Sequence, residues 1–298
     1  MSWAISKVVI NESIFDRREA VQERLQQAPG AAASQELGLP QGVVPGRWSL
    51  RTIRATFDWM ADYSLSGVWR ILQRYDCQLR SSRVRQYSPD PDYVEKVRYL
   101  EACLRQVADT PETHVLLFMD EMGYYRWAAA SSDWQAIAPH PMRATSAADN
   151  NRQWRMVGVL NAWTGQVNYL DNYIVGRKKI IEMYHVIDRL YPHAECIYVV
   201  QDNWSIHSHS DVTDALEDLP RIEPVWLPTY SPWLNPIEKL WRWLRQDVLK
   251  MHRLALDWEA LRLAVNTFLE QFAHGSQDLL HYVGLLGQGQ LAQARRGL

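Results

Sequence analysis

Three acidic residues stand at positions in the sequence where they could take part in chemistry. Asp120 and Asp202 end two apolar runs, HVLLFMD and ECIYVVQD, which predict buried strands. Glu238 lies in the first turn of the helix predicted after WLPTYSPWLNP. Because open α/β sheets bind ligands in the crevice at the carboxyl ends of their strands, we expect these three side chains to meet there.

The chemistry that this set of acids suits is divalent metal binding. Carboxylate oxygens are the ligands that Mg²⁺ or Mn²⁺ prefers, and the set has no cluster of histidines or thiolates that would favour zinc. Two such ions about 3.5–4 Å apart can hold the attacking and leaving oxygens of an in-line phosphoryl transfer. Each aspartate taken alone has an ordinary alternative, a turn residue at the end of a strand.

Glu238 has its own structural alternative. Asn235 can be the N-cap of the predicted helix, Pro236 suits the first helical position, and Glu238 then falls where a capping-box glutamate belongs. This stretch by itself favours the cap, since acidic first turns are common. The two aspartates shift the interpretation towards catalysis, with the helix start holding Glu238 in place.

Several polar neighbours are expected to support the acids. Glu121 follows Asp120, and its side chain should point to the other face of the strand because side chains alternate. His207 lies five residues after Asp202 and is either structural or an aid to orientation and proton transfer. The remaining expected supporting residues are Asn203, Tyr230 and Asn235.

Composition sets broad limits on the protein class. The 298 residues are enough for two domains, and 47% hydrophobic with 22% charged residues is typical of a globular protein. We expect no membrane association, because no apolar run reaches about 18 residues and the first residues lack a signal-peptide layout. The three scattered cysteines indicate a reducing cytoplasm and no disulfide framework.

A basic segment precedes the predicted sheet. Between Arg47 and Ser88 there are eight arginines and three aspartates, although the net charge of the chain is −2. Two short helices are predicted here, in SLRTIRATFDWM and GVWRILQRY, which fits a helix-turn-helix that binds DNA in the major groove. The alternative is a plain helical hairpin. The candidate DNA-binding residues are Ser66, Trp69, Arg70, Gln73 and Arg74 on the second helix, with Arg83 and Arg85 in the connector after it.

The order of elements after residue 113 predicts a mixed α/β sheet flanked by helices. One strand is followed by a hairpin around Thr164 and Gly165, and then by helix, strand, helix, strand and helix up to about residue 272. The predicted domains are an N-terminal helical or linker segment (1–46), the helix-turn-helix region (47–90), a linking helix (91–112), the catalytic domain (113–275) and a C-terminal tail (276–298).

Three motifs carry a resemblance to a known family. LLFMDEMGYY, VVQDNWSIHSH and WLPTYSPWLNPIEKLWRWLR resemble the catalytic blocks of DDE-type transposases, most closely those of bacterial insertion sequences in the mariner superfamily. Asp202 and Glu238 are separated by 35 residues, as in the DDE pattern of that group. The upstream RWSLRTI, LSGVWRILQRY and SPDPDY resemble its helix-turn-helix and connector, so the resemblance covers roughly residues 47–272.

The resemblance implies a fold, an activity and a set of partners. Asp120, Asp202 and Glu238 would be the metal-binding triad of a ribonuclease H-like domain, holding two Mg²⁺ or Mn²⁺ ions. The enzyme would cleave double-stranded DNA at transposon terminal inverted repeats and join the 3′-hydroxyl to target DNA, usually at TA, as a dimer or larger assembly at the bacterial nucleoid. Basic residues that would hold DNA phosphates are Arg177, Lys178, Lys239, Arg242 and Arg245.

The resemblance is weakest at the N-terminus and leaves other functions open. The family has a further helix-turn-helix that residues 1–46 do not clearly show, so the chain could be a shortened copy with weakened end recognition. One alternative is a domesticated or defective copy that only binds DNA, against which the complete triad argues. Another is a different ribonuclease H-like DNA endonuclease, which would need no helix-turn-helix.

Overall fold

The computed structural model describes residues 16–80, 87–132, 140, 142–146 and 150–296. The chain forms two compact units, Met1–Val84 and Arg85–Leu298. Among the described residues, no helix has both the length and the apolar character needed to cross a membrane. The finer division into five segments stays a prediction.

The first unit is helical in its described part. Its helices are α1 (residues 16–25), α2 (Ala31–Glu36), α3 (Leu50–Thr56) and α4 (Leu65–Arg74), with a 3₁₀ turn at Asp58–Met60. Ser49 caps α3 in a reciprocal pair with Thr52, and Ser64 caps α4 by accepting a hydrogen bond from the Gly67 amide. The core of this unit comprises Val21, Ile53, Met60, Val68 and Leu72.

Two predictions for this unit are wrong in detail. The segment around residues 26–46, predicted as a linker, contains α2, because its AAASQE sequence has high helix propensity and Ala33 is fully buried. The helix predicted over SLRTIRATFDWM ends at Thr56, where Phe57 adopts extended backbone angles and starts the separate 3₁₀ turn.

The second unit contains one five-stranded mixed sheet within the described residues. Its strands are β1 (His114–Tyr125), β2 (Gln153–Asn161), β3 (Val167–Asn172), β4 (Cys196–Gln201) and β5 (Ile222–Trp226). The order across the sheet is β3-β2-β1-β4-β5. Strands β1, β2 and β3 pair antiparallel, whereas β4 and β5 run parallel to β1. The predicted mixed α/β sheet with a β2–β3 hairpin is therefore confirmed.

Helices cover both faces of this sheet. They are α5 (Tyr93–Asp109), α6 (Arg177–Leu190), α7 (Ser210–Glu217), α8 (Ile237–Leu244), α9 (Trp258–Glu270), α10 (Gln277–Val283) and α11 (Gln290–Arg295). Because strand side chains alternate, Leu116 and Phe118 pack with α5, α8, α9 and α10, while Leu117 and Met119 pack with α6 and α7. The sheet is thus sandwiched between two layers of helices.

Two further expectations need correction. The strand predicted to stop at Asp120 continues to Tyr125, because its antiparallel pairing with β2 extends to Gln153 after its parallel pairing with β4 has ended. Residues 276–296, predicted as part of a tail, contain α10 and α11, whose apolar side chains are buried in the main core. Apolar periodicity over such short helices is too weak a signal to find them.

Candidate active site

The side chains of Asp120, Asp202 and Glu238 line one cavity of about 410 Å³. Asp120 comes from β1, Asp202 follows β4 directly, and Glu238 lies in the first turn of α8. The structure therefore brings together the three acids that the sequence singles out, from three separate elements.

Strand register explains why the two aspartates meet. The parallel pairing of β1 with β4 ends where Phe118 lies opposite Val200, and both of these side chains are buried on the α8 side of the sheet. Asp120 and Asp202 each lie two residues further on. Since side chains alternate along a strand, both aspartates extend towards the same side at the point where the two strands separate.

A glycine lets α8 approach the sheet closely. Gly158 on β2 lies directly opposite Asp120 in the strand pairing. A Cβ atom on Gly158 would lie only 2.6 Å from the Cη2 atom of Trp241, a fully buried residue of α8. The indole thus occupies the space that a larger residue would fill, which places the start of α8, and Glu238 with it, beside the aspartates.

Asn235 has a different role from the predicted one. Helix α8 begins after Pro236 with no side-chain cap, so the predicted N-cap at Asn235 and the capping box are wrong. The buried Asn235 amide instead donates a hydrogen bond from Nδ2 to the carbonyl oxygen of Met119, at 3.0 Å. This bond joins the residue before Asp120 to the loop that leads into α8, and a buried amide of this kind is costly to leave unpaired.

The surroundings of Asp120 perturb its carboxyl group. Burial is the largest cause that raises the pKa of Asp120, and together with the nearby carboxylates of Glu238, Glu121 and Asp202 it brings that pKa to about 8. A carboxyl group in this position holds a proton near neutral pH unless positive charge is brought close to it. The cavity therefore favours a cation.

His207 and Glu121 form a second group beside Asp202. The Nε2 atom of His207 lies 3.4 Å from a carboxylate oxygen of Glu121 and 3.7 Å from one of Asp202, and the His207 side chain is only 1% exposed. Ligand atoms of all three residues lie within 4.8 Å of one another. Glu121 lies on the strand face away from α8, as alternation predicts, and it meets His207 there.

Comparison with known proteins identifies the domain that contains this site. Residues 115–262 match the protein family described as DDE superfamily endonuclease. We refer to this matched region, residues 115–262, as the DDE domain. The resemblance inferred from the three catalytic motifs is thereby confirmed.

The chain is also similar to a protein of a bacterial insertion element. The insertion element IS630 uncharacterized 39 kDa protein of Shigella sonnei is 24% identical over 210 residues, which are 65% of this chain and 60% of that protein. The chain thus spans less than two thirds of the length of this relative.

Solved structures show the same fold. The Mos1 transposase paired-end complex with left transposon end has a TM-score of 0.54 at 16% identity, covering 82% of this chain and 77% of that one. The Mos1 mariner paired end complex with Mn also has a TM-score of 0.54, at 17% identity, covering 86% and 79%. The predicted ribonuclease H-like fold is confirmed.

A loop of the DDE domain, residues 227–235, completes the cavity and is tied down from two sides. Asn203 donates a hydrogen bond from Nδ2 to the Leu227 carbonyl, at 2.8 Å. Asp90, whose side chain is 3% exposed, accepts hydrogen bonds from the Thr229 amide and from Lys96 Nζ, both at 2.8 Å. These hydrogen bonds hold the pKa of the Asp90 carboxyl well below its usual range. The bond from Lys96 is the largest cause of this lowering.

Sequence reasoning missed some of the residues around this cavity. Asp90 and Ser88 belong to the SPDPDY connector that carried part of the resemblance, but no role was assigned to them. Ser88 donates a hydrogen bond from Oγ to the Thr229 carbonyl, at 2.5 Å. Trp204 lines the cavity, and its backbone amide donates to Asp202 Oδ1, at 3.0 Å. The motif was the available signal for Asp90, whereas nothing in the sequence distinguishes Trp204 from the other tryptophans.

The predicted DNA-binding face of α4 is exposed in the first unit. Val68 and Leu72 are buried, and the opposite side of the helix presents the predicted residues Ser66, Trp69, Arg70, Gln73 and Arg74 to solvent. Arg83 and Arg85, also predicted to bind DNA, lie outside the described residues.

The basic residues predicted to hold phosphates within the DDE domain differ in their surroundings. Arg177 forms an ion pair with Asp211, at 2.8 Å, while Lys178 is exposed. Lys239 is half-buried and donates from Nζ to the Val283 carbonyl at the end of α10, at 2.7 Å. Arg242 and Arg245 are exposed. Lys239 thus has a structural partner inside the domain, and the two arginines are freer to meet a ligand.

Proposed function

We propose that this protein is a DNA transposase that cleaves at transposon ends and joins the freed 3′-hydroxyl to target DNA. The observation that carries the proposal is the convergence of Asp120, Asp202 and Glu238 on one cavity within a DDE superfamily endonuclease domain. Hydrolysis and strand transfer are both phosphoryl transfers, so one set of acids can serve both steps.

Under this proposal the three acids bind two Mg²⁺ or Mn²⁺ ions. The residues fit such ions, because every donor is a carboxylate oxygen, and a cation would offset both the burial and the neighbouring carboxylates that raise the pKa of Asp120. When bound, a pair of divalent ions stabilises the charge that develops on the attacking and leaving oxygens. The Mos1 mariner paired end complex with Mn, which has the same fold, supports the choice of ion.

The residues around the triad then act by positioning. His207 Nε2 and the backbone amide of Trp204 both face Asp202 Oδ1, at 3.7 and 3.0 Å, so they restrict the orientation of that carboxylate. Glu121 lies 3.4 Å from the same His207 Nε2 atom and helps to orient the imidazole. Asn235 and Asn203 hold the backbone on which Glu238 and the cavity loop are carried.

The proposed partners are double-stranded transposon ends and target DNA, with TA sites as the expected targets. The exposed face of α4 would read the ends in the major groove, with Arg83 and Arg85 on adjacent phosphates. Arg177, Lys178, Lys239, Arg242 and Arg245 would contact phosphates near the catalytic cavity. Mos1 transposase is described in a paired-end complex with a transposon end, which supports a homodimer or larger assembly here. Such a substrate implies action at the bacterial nucleoid.

A strand-cleavage assay tests the proposal. The substrate is a duplex carrying the terminal inverted repeat that flanks the gene, with Mg²⁺ or Mn²⁺ added. We expect D120N, D202N and E238Q to lose cleavage by about 100-fold or more while still binding the duplex, because each removes a carboxylate that stabilises the transition state through the ions.

Asp214→Asn provides the matched control. Asp214 is an exposed acid on α7, and its amide variant should cleave like the wild type. Cleavage by the three triad variants at the rate of this control would overturn the assignment, as would undiminished cleavage in the presence of a chelator.

A further inference from the structure

Tyr230 is an aromatic residue exposed at the catalytic cavity. It lines the same cavity as the three acids, yet 77% of its surface is open to solvent. A ring with this exposure adds little to the stability of the core, because it removes little apolar surface from water. We therefore expect the ring to contribute by contacting a ligand.

The backbone of Tyr230 is also unusual. Its φ angle is +55°, in the left-handed region that glycine adopts freely and bulky residues rarely do. Strained residues of this kind persist where the surrounding structure fixes them, and they cluster at functional sites. A glycine would fit this position without strain, so the presence of tyrosine there indicates that the ring is useful.

The loop that carries Tyr230 is held on both sides of it. Thr229 is bonded through its amide to Asp90 and through its carbonyl to Ser88 Oγ. On the other side, the Ser231 carbonyl accepts a hydrogen bond from the Leu234 amide, at 3.0 Å, and Ser231 is buried. The ring is thus presented from a fixed backbone, which lowers the entropy lost when a ligand packs on it.

We propose that Tyr230 is a stacking platform for an unpaired nucleobase next to the reacting phosphate. The proposal rests on the function proposed above, in which the acids act on a DNA phosphate. Aromatic side chains beside nucleic-acid channels stack on bases of any sequence, because every base has a π-face. Within a duplex, the neighbouring bases cover both faces of each base. The base must therefore leave the stack, and with it its pairing partner, before it can contact the ring.

Other groups at the cavity favour a base over a second phosphate as the ligand of this ring. The acids that share the cavity repel an anion that carries no cation, whereas a neutral ring on a neutral base is unaffected by them. Trp233, in the same loop, is 41% exposed, and its indole Nε1 donates to the Tyr93 hydroxyl, at 3.3 Å. Trp233 is thus a second partly exposed ring on this loop.

A crosslinking experiment tests the contact without requiring catalysis. The full chain is bound to its terminal-repeat duplex with Ca²⁺, and 5-iododeoxyuridine is placed in turn at each nucleotide flanking the cleavage position. Irradiation crosslinks this base to an aromatic ring stacked on it. We expect mass spectrometry to find the crosslink on Tyr230 for one flanking position, and its absence from Tyr230 at every position would overturn the proposal.

A mutant cycle tests whether the contact matters for the reaction. Y230G suits the backbone but lacks the ring and should cleave about 5- to 100-fold more slowly than the wild type, and Y230F, which keeps the ring, should recover most of that loss. Unchanged melting temperature shows that Y230G is folded. An abasic nucleotide at the crosslinked position should slow the wild type by a similar factor and Y230G no further, and an abasic nucleotide ten base pairs away serves as the control.

The outcomes separate the two proposals. The stacking role of Tyr230 would be overturned if the rate losses from Y230G and from the abasic nucleotide were additive, or if Y230G cleaved at the wild-type rate. Either result would leave the triad assignment intact. If the wild type cleaves no end with either metal, the proposed function fails, and the crosslink still decides whether Tyr230 contacts a base.

Discussion

Asp120 is the residue whose chemistry depends most on its surroundings. It sits within a strand, beside three other acids, with its carboxyl group largely removed from water. An isolated aspartate is ionised at neutral pH, and this one keeps its proton up to a pH of about 8 in the absence of cations. In the free protein, this environment thus disfavours the ionised form of the Asp120 carboxyl group. The ionised form becomes favourable only when a cation is near.

This raised pKa predicts how the stability of the metal-free protein depends on pH. The folded state holds the proton of Asp120 up to about pH 8, whereas the unfolded chain releases it near pH 4. The stabilising contribution is therefore fully present below about pH 4 and is lost as pH rises through about 8. Asp120→Asn does not titrate, so we expect it to become more stable than wild type as pH rises, by about 1–2 kcal/mol at pH 8.

Thermal melts in EDTA at pH 5, 6.5 and 8 measure this difference. Asp214→Asn, an exposed control, should follow the wild type at each pH. Added Mg²⁺ should stabilise wild type at pH 8 more than it stabilises Asp120→Asn. Parallel pH profiles for wild type and Asp120→Asn would show that Asp120 is ionised in the free protein.

At the scale of elements, the site depends on how α8 meets the sheet. The helix carries Glu238 on its first turn and buries Ile237, Leu240, Trp241 and Leu244 against the sheet. Its distance from the strands is set by the contact between Trp241 and Gly158, and its start is tied to β1 through Asn235. The position of the third acid is therefore decided by packing on a neighbouring strand.

Gly158→Ala tests the close approach of α8. The new methyl group would lie 2.6 Å from Cη2 and 2.8 Å from Cζ2 of Trp241, whose indole is fully buried. Since the core is close-packed, the helix or the ring must shift, and we expect a loss of about 1–3 kcal/mol in the free energy of unfolding. Cleavage should fall as well, because Glu238 moves with α8.

Gly123→Ala is the matched control. Gly123 lies on β1 in the same strand pair, is exposed, and its added methyl group would approach only the end of the flexible Gln153 side chain, at 3.1 Å. Denaturant unfolding should find its stability within about 0.5 kcal/mol of wild type. If Gly158→Ala were as stable as this control, the glycine contact would not set the position of α8.

At the scale of the whole molecule, the charge is distributed unevenly between the two units. The net charge of the chain is −2, to which residues 1–84 contribute +3 and residues 85–298 contribute −5. The first unit also has a core of its own, around Ile53, Val68 and Leu72. The basic first unit, which has its own core, is suited to binding a polyanion. The second unit, with its acidic cavity, is suited to carrying out the reaction on that polyanion.

The salt dependence of DNA binding measures the role of the first unit. If Arg70 and Arg74 neutralise phosphates, Arg70→Ala and Arg74→Ala should each reduce the slope of log K against log salt by about 1. Titrations of a labelled terminal-repeat duplex between low and moderate salt give this slope. Arg189→Ala, which removes an exposed arginine from α6, should leave it unchanged, and equal slopes for all three variants would remove α4 from the interface.

The sequence by itself determined the class of fold and singled out three acids that line one cavity. Apolar runs and helical periodicity predict β1, β4, α6 and α9, and the buried side chains of these elements follow those patterns. Asp120 and Asp202 stand out because each ends an apolar run, and Glu238 stands out because it lies in the first turn of a predicted helix. These signals are local, since they depend on a few consecutive residues and on the period of a helix or strand.

Only the tertiary structure decided how those residues are arranged. The length of β1, the bond from Asn235 to Met119, the space at Gly158 and the meeting of His207 with Glu121 all depend on partners distant in sequence. Asn235 illustrates the difference, because its local context favours a helix cap while a buried carbonyl on β1 offers its amide a better partner. Hydrogen bonds and packing are satisfied over the whole fold, so local pattern cannot specify them.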